Sequence, residues 1–333
     1  MIKRPIDIQR ESAGRFRIEA NDDCTPIGEM FELNDRLLIL TKKAAYEVTL
    51  ADQIDPKREN PNIPKNVQRR ILEFGTDSEL VGRTLLTAKS LFHGKFLSDS
   101  INAKQAMTFS FEALTDLVAM HTTATEYEIA EKKEIQAAGR RPAQKASLAI
   151  PSVPDVTTRC KTFFQKADHV EQTTWDIVRL FYPSIQTKCN FGSLHNFLKD
   201  EYGVDDDFTK FIEQALPFLR MIRNARDCLD HRNAKGAVVT NFALSAGGKI
   251  SRPTIEINFR DTHQLPVDIS LLMPKAVESM LNVFDTLIAY LCSKSGQAFG
   301  GVFVGTIPEN RRHNKHIRYS FGMVMNGEFC PIG

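Results

Sequence analysis

Residues 103–138 read AKQAMTFSFEALTDLVAMHTTATEYEIAEKKEIQAA, and this stretch decides the fold class. Phe109, Ala113, Leu117, Met120 and Ala124 recur every three or four residues, the spacing that lines one face of an α-helix. The spacing predicts a long helix ending in a charged tail. On its N-terminal side, Leu80, Val81, Thr84, Leu85, Ala88 and Leu91 repeat the pattern, with Thr76, Asp77 and Ser78 as N-cap candidates. Further back, ADQIDPKRENPNIPKN (51–66) carries Pro56, Pro61 and Pro64. Each proline removes a donor and restricts its predecessor, so a boundary is expected at 52–66. Before it, Arg36–Thr41 and Ala45–Leu50 flank Lys42-Lys43 and read as a small β element.

Toward the C-terminus, Pro142, Pro151 and Pro154 mark a long loop. Helices are expected over Val156–Phe181, around Ser193–Tyr202, and from the acids Asp205–Asp207 to about Asp230. The period then changes. Ala237–Ser245 and Ile250–Phe259 surround Gly247-Gly248 and read as a β-hairpin. Leu271–Ser293 returns to helix, and the tail from Gly300 reads as a second hairpin whose turn carries the basic run from Arg311 to Arg318. The expected fold is therefore mainly α. It is a bundle of four or five helices with a small N-terminal β element, an inserted β-hairpin and a C-terminal β-hairpin. The regions are 1–75, a helical bundle over 76–296 with hairpin 237–260 inserted, and an extension over 297–333.

The 333 residues are 42% hydrophobic and 25% charged, which excludes disordered and collagen-like classes. Lys plus Arg (43) against Asp plus Glu (41) leave a net charge of +2, so any attraction for nucleic acid is local. Six cysteines are scattered with no C-x-x-C pair. With no apolar leader and no span of about 20 apolar residues, the expectation is reduced thiols, a cytoplasmic protein and no membrane partner. P-loop, dinucleotide, serine-hydrolase and zinc-protease signatures are absent. His313 and His316 lack a third ligand, so neither a metal nor a cofactor is expected.

One segment carries chemistry. In the helix ending near Asp230, the apolar stripe Phe208, Ile212, Ala215, Ile222, Ala225 and Leu229 is interrupted by Arg226. A guanidinium, always charged, is rarely buried without a partner or a cleft to face. In MIRNARDCLDHRN, His231 follows five residues after Arg226, and Asp227 lies four before His231 on a shared face. Arg226 and His231 are about 140° apart on an ideal helix. They converge on one ligand only if the helix ends near His231 or a second subunit completes the site. Asn224 adds a neutral polar group on nearly the same side.

This arrangement resembles the HEPN (higher eukaryote and prokaryote nucleotide-binding) family. Its hallmark is an Arg, then usually Asn, Asp or His, then a few residues, then His; here Arg226, Asp227, three residues, His231. Arg223-Asn224 has the favoured dipeptide but lies too far from His231 for the usual spacing. The resemblance spans roughly residues 76–296. It implies a metal-independent endoribonuclease, a toxin or anti-phage effector, whose motifs meet across a homodimer and which an antitoxin or regulatory protein could control. Arg226 and His231 would be catalytic, supported by Asn224 and Asp227, with Asp227 orienting the imidazole. Histidine titrates near neutrality and moves protons, and arginine presents a planar fork to a phosphate.

Plainer readings stand beside these. Arg226 and His231 also suit the negative end of a helix dipole, in a catalytically silent module that binds a nucleotide, an RNA or a protein. Arg311, Arg312, Lys315 and Arg318, followed by Tyr319 and Phe321, are candidate RNA contacts, or simply a solvated hairpin tip.

Overall fold

The computed structural model describes residues 3–12, 18, 26–34, 36–139, 148–185, 188–230, 236–296 and 300–332. A short helix α1 (Pro5–Glu11) precedes a four-stranded antiparallel meander of β1 (Glu29–Leu33), β2 (Arg36–Leu40), β3 (Ala45–Leu50) and β4 (Asn66–Leu72). Between β3 and β4, α2 (Ala51–Ile54) leads into the irregular, proline-bearing stretch. Arg58 organises that stretch by bonding Asp7 and Glu11 of α1 at 3.2 and 3.1 Å and Asp52 of α2 at 2.7 Å.

The helix after Ser78 begins as α3 (Glu79–Val81), widens to a π-helical turn at Gly82–Leu86 and continues as α4 (Thr87–Leu91). The long helices are α5 (Ala103–Gly139), α6 (Val156–Phe181), α8 (Asp207–Asp230) and α9 (Ile269–Ser295). The shorter α7 (Phe191–Tyr202) is capped by Asn190, whose side-chain oxygen accepts from the amides of Gly192 and Ser193 at 3.0 and 3.3 Å. α5 packs along α6 and α9, and α8 lies against α6 and α7. Buried apolar side chains from Leu33 to Phe321 form one continuous core.

The expected mainly α bundle with one small β element and two hairpins is not what forms. Helix accounts for 51% of the described residues and strand for 20%, arranged in four antiparallel sheets, so the chain is an α+β protein. The N-terminal β element is a full sheet: β4 is an edge strand whose consecutive polar residues Gln68, Arg69 and Arg70 blur the two-residue alternation. The inserted hairpin is a three-stranded sheet of β5 (Ala237–Thr240), β8 (Thr254–Phe259) and β9 (Thr262–Asp268), extended by the short pair β6 (Ala243–Leu244) and β7 (Ile250–Ser251). Pro266 hides β9 in the sequence. It is tolerated because β9 is an edge strand whose register with β8 shifts between Ile255 and Ile257.

At the C-terminus, β10 (Phe303–Thr306), β11 (Tyr319–Met325) and β12 (Glu328–Pro331) form a second three-stranded antiparallel sheet, not a hairpin. The tight turn is Asn326-Gly327, with φ of 54° and 82°, the left-handed pair that a two-residue hairpin turn requires. The basic run is instead a docked connection between β10 and β11.

That docking is tight. A Cβ on Gly82 would meet His316 Cβ at 2.4 Å, so the π-helical turn and the connection approach as only glycine allows. Asn314 donates to Thr76 O at 2.6 Å. Beneath them, fully buried Asp285 of α9 takes Arg83 Nε at 2.9 Å and Arg318 Nε at 2.8 Å on one oxygen. Arg318 Nη2 at 2.5 Å and Arg83 Nη2 at 3.3 Å bond its other oxygen. Glu79, Glu278 and Asn282 complete the shell of Arg83 at 3.1, 2.8 and 2.6 Å. Among the described residues, no helix is long and apolar enough to cross a membrane.

Candidate functional site

Helices α6 and α8 face each other with matched charges. Asp168 and Glu171 are three residues apart on α6, and Arg223 and Arg226 are three apart on α8, so each pair shares a helix face. The helices cross in opposite chain directions, which joins Arg226 to Asp168 and Arg223 to Glu171. Both carboxylates are buried, with 4% and 2% of their side chains exposed. Burial of this kind is tolerated only with charged, hydrogen-bonding partners.

Arg226 reaches Asp168 Oδ2 from Nε at 3.1 Å and from Nη2 at 2.9 Å, and Asp227 Oδ1 from Nη1 at 3.0 Å. A guanidinium carries five N–H donors, so these contacts fix its plane and leave donors over. The side chain is 27% exposed. It faces an open cleft of about 460 Å³ where Arg179, Lys188 and Arg223 add positive charge and Asp168, Asp176 and Asp227 add negative charge. Trp175 and Cys189 supply its less polar wall.

Glu171 lies beneath that wall. One oxygen accepts from Arg223 and touches the Cys189 thiol at 3.8 Å; the other is buried with no hydrogen-bond partner among the described residues. Burial raises its carboxyl to about 7 against the opposing pull of Arg223. Burial also pushes the Cys189 thiol up, so it stays protonated and is no nucleophile. Arg223 Nη2 lies 3.2 Å from the Cys189 sulfur.

The structure separates the residues that the sequence grouped. Arg226 and Asp227 are together at the cleft, and His231 lies outside the described residues, immediately after the last residue of α8 in sequence. Asp227 is engaged by Arg226 and, at 2.9 Å, by Arg260 Nη1. Asn224 is buried and turns to the β8–β9 turn, donating to Asp261 Oδ1 at 3.0 Å, Thr262 Oγ1 at 2.8 Å and Phe259 O at 3.4 Å. These bonds hold Arg260 in a left-handed conformation, φ 53°, that is costly for a non-glycine residue. The Arg260 guanidinium then lies over the Phe259 ring, 4.7 Å from its centroid, and reaches Asp227.

The C-terminal candidates are mostly committed elsewhere. Arg318 belongs to Asp285, and Arg311 to Glu328 and to Phe329 O at 3.2 Å. Arg312 donates to Ile307 O at 3.0 Å and Lys315 O at 3.4 Å. Lys315 is exposed. Sequence reasoning missed Asp168, Glu171 and Arg260, and set Arg223 aside for its distance from His231. The first two carried a readable signal, acids three apart inside an otherwise apolar helical stripe; Arg260 carried none, because its place depends on the turn. Among the described residues, no three His, Cys, Asp or Glu side chains group to hold a metal ion. No family model matches the chain, and neither a curated protein nor a solved structure matches it.

Proposed function

We propose that the α6–α8 cleft binds the phosphodiester backbone of RNA and that the protein is a metal-independent endoribonuclease, with Arg226 and His231 as its catalytic residues. The observation that carries this reading is Arg226 itself: a guanidinium oriented by a buried carboxylate, with donors left over at an open cleft that holds three further cations. A prealigned fork of this kind stabilises charge that develops on phosphate oxygens. His231 would take the proton of a ribose 2′-hydroxyl as its oxygen bonds to phosphorus. The bond from phosphorus to the 5′-oxygen breaks, and that oxygen takes up a proton. The products are a 2′,3′-cyclic phosphate and a 5′-hydroxyl, and DNA, lacking the attacking group, is not cut. RNA and a second copy of the chain are the partners of this reading. Asp168 would act as a positioning residue through Arg226.

The test is cleavage of a mixed RNA in EDTA by the wild type, Arg226→Ala and His231→Ala, with end-group analysis. Cyclic-phosphate ends that vanish in both variants support the reading; cleavage that survives His231→Ala overturns it. One observation favours a silent binding module instead. Asp168 and Asp227 together give Arg226 the carboxylates a structural pair needs, and that reading expects RNA retention without cleavage in the wild type.

A further inference from the structure

A second cleft, of about 400 Å³, opens between α4, the β10–β11 connection and the C-terminal residues, and it shares no residue with the α6–α8 cleft. Leu86, Ile307, Ile317, Pro331 and Ile332 make its walls largely apolar. Its rim is basic, with Lys89, His93, Arg311, Arg312 and His313 against one acid, Glu29.

Most of these charges are already answered. Lys89 pairs with Glu29 and Arg311 with Glu328. Arg312 is different. Its Nε and Nη1 donate to the carbonyl oxygens of Ile307 and Lys315, which fixes the guanidinium plane without supplying a negative charge. No carboxylate pairs with it among the described residues, whereas Arg311 and Arg318 on either side each have one. The group is half-buried, so solvent screens it incompletely and an anion is favoured beside it. His313 is exposed at the same rim. The volume lies within the range of small-ligand sites, which pair apolar walls with a few placed polar groups.

We propose that this cleft binds a phosphate monoester on an apolar body, the phosphate on Arg312 and His313 and the body against Ile307, Ile317 and Pro331. A nucleoside monophosphate and an alkyl phosphate share that chemistry. Inorganic phosphate, lacking the body, gains only the charge contact.

The experiment is isothermal titration of the full chain with adenosine 5′-monophosphate, octyl phosphate, adenosine and inorganic phosphate. At least one monoester binds about tenfold or more tightly than inorganic phosphate, and Arg312→Gln weakens it by about tenfold, the worth of a charge-assisted hydrogen bond. Because Arg312 also braces the connection, His313→Glu is the second variant. His313 is exposed with no side-chain bond among the described residues, so charge reversal weakens binding without loosening the fold. Arg226→Ala leaves binding unchanged. Which monoester binds tells a nucleotide source from an alkyl one. The proposal is overturned if neither monoester outbinds inorganic phosphate, or if His313→Glu, shown folded by thermal denaturation, binds as the wild type does.

Discussion

Around Asp285 and around Asp168, arginines meet a buried aspartate, but the two clusters leave the molecule with different capacities. Asp285 is fully buried and takes two guanidiniums, and Arg83 is almost as deeply enclosed. The bonds of Arg83 and Arg318 to Asp285 join parts of the chain far apart in sequence: the π-helical turn, α9 and the residue before β11. Around Asp168 the carboxylate is equally buried, yet Arg226 stays partly exposed and keeps unused donors at a cleft. The same chemistry therefore closes one region and opens the other. Exposure of the guanidinium alone does not decide it, since Arg318 is as exposed as Arg226; what differs is that Arg226 lines a cleft.

That contrast can be broken most severely at Asp285. Asp285→Ala leaves Arg83 and Arg318 without their shared carboxylate and is expected to cost about 3–5 kcal/mol in urea denaturation. A loss under about 1 kcal/mol would mean the cluster is not structural.

Next in size is Glu171, the buried carboxyl beside the open cluster. Its folded-state value lies above the ordinary 4.5, at about 7. The folded form thus holds its proton more tightly, and stability that is intact below about 4.5 is lost as pH rises through about 7. Glu171→Gln removes that loss, so its stability relative to the wild type grows between pH 4.5 and 8, by up to about 3 kcal/mol. Equal differences at pH 5 and pH 8 would rule out the burial argument.

Asp168→Asn is expected to cost about 1–2 kcal/mol, since Asp227 still holds Arg226. If the cleft cuts RNA, the same variant lowers kcat by about 100-fold with little change in KM, because the fork loses its alignment. A change confined to stability would make Asp168 a packing partner only.

The smallest effect belongs to Asn224→Ala, about 1 kcal/mol from lost bonds to the β8–β9 turn. Faster amide exchange at Thr262 than at residues of α6 is its signature; uniform exchange would show that Asn224 does not hold the turn.

Much of the helical framework was legible from residue order. The apolar stripes of α5, α6 and α8 have a period that sequence spacing reveals, and Val156–Phe181 is a helix of the predicted extent. The sheets were less so. β4 runs polar through Gln68, Arg69 and Arg70, β9 contains a proline, and β12 is four residues long, so none offers the alternation that marks a half-buried strand. At the cleft, Arg226 stood out because a guanidinium interrupts an apolar stripe. Its partner Asp168, 58 residues earlier, did not, since pairing across helices follows from packing.

The sequence by itself thus determined where the long helices run and which arginine had to find a partner, because both follow from local period and from a charge that cannot be given up. Only the tertiary structure decided which carboxylates answer each arginine. It turned Asn224 inward to a turn and Asp227 toward two guanidiniums, and it spent Arg311 and Arg318 on the fold while leaving Arg312 without a carboxylate among the described residues. The physical reason is common to all of these. A buried charge is satisfied by whatever the chain brings within about 3 Å, and that neighbour is set by how helices and sheets pack.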